Sequence, residues 1–197
     1  LCDNPWIPPG TEPGQPPRFQ DPLYHFAFNY CLDANRPGPS DDLPELVVNR
    51  LSDNPSDIAR GVKRQYIFSF SRPSFRSDAL GLRVMSNPLH LSPKDWYLAQ
   101  GFAGSPQATT VDGYEAIRDG STLYISATNL NTQEGGLTTD MYVLSHNPNA
   151  TAETRSIFEQ VVESFTFNTN LLHDADGICR TSTGGIFRHT TTSPELT

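Results

Sequence analysis

No run of about 20 apolar residues occurs in this chain, the length that a membrane-crossing helix needs, so no membrane insertion is expected. The first residues, Leu1 to Pro9, have neither a charged start nor an apolar centre. No signal peptide is visible there, and the chain reads as a mature or excised segment. Basic residues are scarce as well: 14 Lys and Arg stand against 22 Asp and Glu, for a formal charge of -8. Affinity for phosphate backbones comes largely from Lys and Arg, so nucleic acid is not an expected partner. Catalytic signatures are missing too. The histidines His25, His90, His146, His173 and His189 lack HExxH spacing, no Gly-x-Ser-x-Gly elbow occurs, and there is no P-loop or dinucleotide glycine fingerprint. No cofactor is implied, and an enzyme without a recognisable motif stays only as a competing class.

Cysteine is nearly absent, and its count is odd: Cys2, Cys31 and Cys179. Cys2 and Cys31 flank a Pro-rich stretch that a bridge would restrain, and an extracellular setting would permit one. Small buried thiols are the alternative, because spacing does not establish connectivity. Cys179 is either the unpaired thiol or pairs outside the chain. No CxxC spacing supports a zinc site, and no metal is expected.

What is abundant is proline and glycine, 17 and 14 residues, beside an apolar fraction of only 36%. That balance points to a loop-rich α+β body with few long helices. Seven prolines fall within residues 1–22, favouring an extended arm or linker over sheet or helix. Residues 23–168 read as a single α+β domain, an antiparallel sheet covered by a C-terminal amphipathic helix and a short helix. Residues 169–197, rich in Thr, Ser and Gly, read as a tail or a connection to another module.

Within the domain, Leu23 to Leu32 alternates aromatic and smaller residues and suggests a strand with Tyr24, Phe26, Phe28 and Tyr30 on one face. Lys63–Phe70 and Ala79–Met85 suggest two more. Ser92, Pro93 and Asp95 form a helix-start signature, with the helix ending before Gly101. Val111 to Ile117 and Thr122 to Thr128 flank an Asp119-Gly120 turn and form the expected hairpin. Asn129 to Thr139 reads as a mobile polar connection, followed by a strand over Asp140–Ser145. Ile157, Phe158, Val161, Val162 and Phe165 make one apolar helical stripe beginning after Asn149 or Thr151.

Several residues have two readings. Trp6, in the arm with Pro8, Pro9 and Phe19, either docks on its own domain or anchors an interface with a neighbour. Arg72 and Arg76, with Lys63 and Arg64, either bind an anion or cap strand ends in solvent. Trp96 and Tyr97 either stack on a sugar or anchor a short helix in the core. Asp41 and Asp42 are acid/base or cation-ligand candidates, or an exposed acidic loop. Asp174-Ala175-Asp176-Gly177 matches half of a calcium loop, but Thr183 stands where a bidentate Glu is needed, so a polar turn is preferred. Asn149-Ala150-Thr151 is a glycosylation acceptor that serves equally well as a helix cap.

The order hairpin, strand, helix, short strand, with Gly113-Tyr114-Glu115-Ala116 and Phe158-Glu159-Gln160-Val161-Val162-Glu163-Ser164-Phe165, resembles the PsbP-like α/β/α sandwich domains. With Phe28-Asn29-Tyr30-Cys31 and Asp41-Asp42-Leu43-Pro44 it also resembles uncharacterised exported bacterial surface proteins. That resemblance implies a noncatalytic extracellular or cell-surface module. The arm and tail give such a module the means to reach other copies of itself or other surface proteins. A carbohydrate or small-ligand receptor using Arg72, Arg76, Trp96 and Tyr97 is the alternative.

Overall fold

The structure is a computed structural model that describes residues 18–30, 45–49, 55–69, 79–131, 136–173, 178–181 and 186–188. Strands dominate, every pair among the described residues is antiparallel, and three helices accompany them; the class is broadly α+β. In chain order the elements begin with β1 (Arg18–Gln20), β2 (Phe26–Asn29), β3 (Glu45–Asn49), α1 (Pro55–Ala59), β4 (Val62–Ser69) and β5 (Ala79–Ser86). Next come α2 (Pro93–Ala99), β6 (Gln107–Val111), β7 (Tyr114–Asp119), β8 (Thr122–Asn131) and β9 (Gly136–His146). The chain continues through α3 (Ala152–Ser164), β10 (Thr166–Phe167), β11 (Leu171–His173), β12 (Ile178–Thr181) and β13 (Ile186–Arg188).

Seven strands form the main sheet in the order β3-β4-β5-β9-β8-β7-β6. From β5 the chain crosses through α2 to the far edge at β6, then winds back to pair β9 with β5. The period of two in the strands sorts their side chains between the faces. In β8, Leu123, Ile125 and Ala127 join one core with Leu80, Leu82 and Val84 of β5 and Tyr142 and Leu144 of β9. The intervening Tyr124 joins a second cluster with Ile117, Met141 and the α2 residues Trp96 and Tyr97.

α3 is held on the first face by Ile157, Phe158 and Val161, all essentially inaccessible. Burial of side chains of this kind stabilises by about 1.5–3 kcal/mol each. Thr151 caps the helix by accepting from the Thr154 N–H, and Phe165 stands at its C-cap. On the same core sits a small sheet in the order β1-β2-β10. Phe26 and Phe28 stack on Phe165 at ring separations of 5.3 and 5.7 Å.

Three sequence expectations change in detail. The arm does not run to residue 22: Arg18, Phe19 and Gln20 pair with Asn29, Phe28 and Ala27, because Phe19 has a bed of aromatic rings to cover. Residues 171–188, read as part of a tail, contain the three-stranded meander β11-β12-β13. The Asp-Gly turn with both central residues at positive φ is Asp112-Gly113, at 50° and 77°, joining β6 to β7. That is the twist-matched hairpin turn that favours Asp-Gly. Asp119 instead ends β7, and the next turn uses Gly120-Ser121, with Gly120 at a φ of 57°.

Candidate functional site: a buried polar seam and an open sheet edge

The first candidate is the polar seam where the small sheet meets the main one. Asp21, 3% exposed, receives hydrogen bonds from the backbone N–H groups of Leu23 and Tyr24 at 2.9 and 2.6 Å and from the Tyr66 hydroxyl at 2.6 Å. Its own N–H donates to the Phe26 carbonyl, closing the turn between β1 and β2. One carboxylate thereby ties the turn to β4 of the main sheet.

Asn129 does the same from β8. Its amide donates to the Tyr24 carbonyl at 2.9 Å and to the Tyr142 hydroxyl at 2.5 Å, while its oxygen accepts from the Asn168 N–H at 2.8 Å. Asn168, at a φ of 52°, accepts from the Leu130 N–H and donates to the Tyr114 hydroxyl and the Thr128 carbonyl. Asp112, in the β6–β7 turn, accepts from the Phe167 N–H at 2.7 Å. Beside the seam Lys63 pairs at 2.9 Å with Asp140, whose side chain is almost fully enclosed.

This arrangement suits locking better than chemistry. Among the described residues no group of three or more His, Cys, Asp or Glu side chains is placed to hold a metal. His25, His90 and His146 lie apart: His90 bonds Thr139, His146 bonds the Asn147 carbonyl, and burial lowers the His25 pKa, with Asp21 partly opposing the shift.

The tyrosines report the enclosure. Burial, reinforced by the bond to Asp21, pushes the Tyr66 hydroxyl far above its ordinary range. Burial also raises Tyr142, Tyr124 and Tyr30. Tyr97 is raised chiefly because its hydroxyl donates to Asp119. A folded state that holds these protons more tightly than the unfolded chain has its full stabilisation below the unfolded tyrosine pKa of about 10. That contribution is lost as pH climbs through the raised values. We therefore expect the thermal midpoint to fall above about pH 10. In a 295 nm titration Tyr66 and Tyr142 should ionise only as the near-ultraviolet dichroism collapses. Smooth ionisation of all the tyrosines near pH 10 with the dichroism intact would contradict the enclosure.

The structure places Trp96 and Tyr97 at 4% and 2% exposure on the second face of the main sheet. Trp96 lies 6.1 Å from the Tyr124 ring, and Tyr97 lies 5.0 Å from Phe102 and 5.3 Å from Tyr124. Their ring faces are thus spent on the chain's own core. The Tyr97 hydroxyl also receives the Gly104 N–H at 2.9 Å, and a Cβ on residue 104 would collide with both Tyr97 and Asp119. What this face leaves to solvent is Leu98, 57% exposed, and Phe102, 43% exposed.

Phe19, read as an interface candidate, lies 5.1–6.0 Å from the rings of Phe26, Phe28, Tyr66 and Phe68 and is half-buried. Trp6, Pro8, Pro9, Cys2, Cys31, Asp41, Asp42, Arg72, Arg76 and Asp174 to Gly177 lie outside the described residues. Asn149 is exposed in the turn before α3, and Thr151 of its motif serves as the helix cap. No helix among the described residues is long and apolar enough to cross a membrane.

Sequence reasoning missed the seam. Asn129 was expected to begin a mobile polar connection, yet β8 runs to Asn131 and β9 starts at Gly136, with Asn129 paired to Thr138. Polarity does not mean exposure here, because the side chains of Asn129 and Asn168 are hydrogen-bonded inside this end of the sheet. The apolar row Leu123, Ile125, Ala127 ends at the polar Asn129, so the alternation gave no signal that the strand runs on.

The second candidate is the β6 edge. Gln107, Ala108, Thr109 and Thr110 are all exposed, and among the described residues β6 has one neighbour, β7. No family model, curated protein or solved structure matches the chain.

Proposed function

We propose that the chain is a noncatalytic extracellular or cell-surface structural module that mediates protein-protein assembly through its terminal arms. The observation that carries this is the root of the N-terminal arm. β1 is hydrogen-bonded to β2, its Phe19 is stacked 5.2 Å from Phe28, and the Asp21 turn ties both to Tyr66 of the main sheet. An arm anchored on a fixed strand meets a partner with less orientational freedom to lose than one hung on a loose linker. Trp6, Pro8 and Pro9, upstream of that root, supply the apolar and conformationally restricted residues that an interface anchor uses.

The PsbP-like kinship is proposed on a similar footing. The hairpin β7–β8, strand β9, helix α3 and short strand β10 follow in the order that prompted it. Fold kinship by itself would carry no activity.

Assembly through the arm predicts that the full chain gives a molar mass above that of one chain by light scattering. A chain beginning at Arg18 should give a lower mass than the full chain, with an unchanged thermal midpoint. The cut belongs before Arg18, since removing residues 18–22 would also remove Phe19 and Asp21 and so confound assembly with unfolding. Equal masses with and without residues 1–17 would refute the arm's role.

A further inference from the structure

We propose that β6 joins two copies of this chain edge to edge about a two-fold axis at Thr109, making one continuous antiparallel sheet. The inference is independent of the arm and uses a different surface. It rests on which backbone groups of β6 are already used. The turn at Asp112-Gly113 is a two-residue connection, with Val111 opposite Tyr114. In such a hairpin the residues flanking the turn exchange both hydrogen bonds, and alternate residues do so along the ladder.

Val111, Thr109 and Gln107 therefore bond to Tyr114, Ala116 and Arg118, their register partners. The N–H and C=O groups of Ala108 and Thr110 point the other way, off the edge of the sheet. No described residue bonds to them, and the side chains of 107–110 are exposed. Two donors and two acceptors are thus presented in a line.

That line is complementary to itself. Set antiparallel to a second copy with Thr109 opposite Thr109, Ala108 faces Thr110 and Thr110 faces Ala108. Both pairs exchange N–H and C=O groups, giving four hydrogen bonds. Thr109 then forms the non-hydrogen-bonded pair at the centre, the position at which cross-strand side chains are closest, and Thr–Thr pairs there are favourable.

Edge strands are ordinarily blunted by charge, proline or a bulge. Within Gln-Ala-Thr-Thr-Val there is no charge and no proline, and the β6–β7 register is unbroken. Pro106, next in the outward-facing row, lacks an N–H and ends the pairable stretch, so the contact has a defined length and register. Because the axis is perpendicular to the sheet, the same face of both copies lies on one side. A contact this short belongs to the weak, concentration-dependent class.

The test uses the full chain and three variants in sedimentation equilibrium. Unmodified chain should show a dimer whose fraction rises with concentration. Thr109→Lys and Thr109→Glu should each give a lower mass than the unmodified chain through like-charge repulsion at the axis, and mixing them in equal amounts should restore that mass. Thr110→Pro, which deletes an outward N–H that β6–β7 pairing does not use, should lower the mass as well. Monomer throughout for the unmodified chain up to about 1 mM, where only about -4 kcal/mol of association would be needed, overturns the proposal. So does an unchanged mass in the charged variants, or a mixture whose mass stays lowered. The chain beginning at Arg18 separates the two surfaces. If it loses mass while the Thr109 variants keep theirs, the arm assembles and the edge does not; the converse result establishes the edge alone.

Discussion

Asn129→Ala lowers the unfolding free energy by about 3–5 kcal/mol, because it removes three hydrogen bonds from a buried seam at about 1–3 kcal/mol each. The Tyr24 carbonyl and the Asn168 N–H lose an Asn129 partner at 2.9 and 2.8 Å, and the Tyr142 hydroxyl loses its donor. Asn129 is only 2% exposed, so water cannot replace the amide without opening the seam. The loss is specific to polar satisfaction rather than volume. Tyr142→Phe, which removes one oxygen and leaves the ring packed 4.8 Å from Phe167, should cost only about 1–2 kcal/mol. Urea unfolding measures both. A cost below about 1 kcal/mol for Asn129→Ala would mean that the seam is solvated and locks nothing.

Asp21→Ala should cost about 3–4 kcal/mol, since the carboxylate is the acceptor for two backbone N–H groups and one phenol, and bonds to a charged group exceed neutral ones. Asp21→Asn keeps an oxygen for the two N–H groups but turns a donor toward Tyr66, and should cost about half as much. Adding Tyr66→Phe to Asp21→Ala removes the orphaned hydroxyl. The double variant should therefore be less destabilised than the sum of the singles by about 1 kcal/mol or more. Strict additivity would place Tyr66 and Asp21 out of contact.

The same residues show what a single sequence can disclose. Ser92-Pro93 sets the start of α2 through one local bond, Ser92 Oγ accepting from the Asp95 N–H at 3.1 Å, so this helix was legible from four consecutive residues. The α3 stripe and the Thr151 cap were legible for the same reason: helix signals lie within a turn or two of each other. Asp112-Gly113 and Asp119-Gly120 present identical dipeptides, and which of them occupies the centre of a turn depends on strand register. Register is settled by pairing of β6 with β7 and β7 with β8, not by the dipeptide.

The candidate sites were less legible still. Asp21 sat inside a proline-rich stretch and Asn129 at the head of a polar one, so local composition marked both as solvent-facing. Their partners, Tyr66 and Tyr24, are separated from them by 45 and 105 positions, and only folding brings them together. The open half of β6 was invisible for a related reason: an unpaired edge is a property of sheet order, and no run of residues announces it. Trp96 and Tyr97 carried two readings, sugar stacking and core anchoring of a short helix. Their chemistry invites a sugar-stacking role, while their neighbours Tyr124 and Phe102 already cover the rings.

If the arm root, the seam and the seven-stranded sheet form one cooperative unit, native-state hydrogen exchange tests it most directly. The amides of Tyr24 and Leu23, held by Asp21, and of Asn168, held by Asn129, should exchange with the same free energy of opening as the central amides of β8 and β9. Exchange of these three amides through a much cheaper local opening, with β8 and β9 still protected, would contradict a fixed root and remove the structural basis for assembly through the arm.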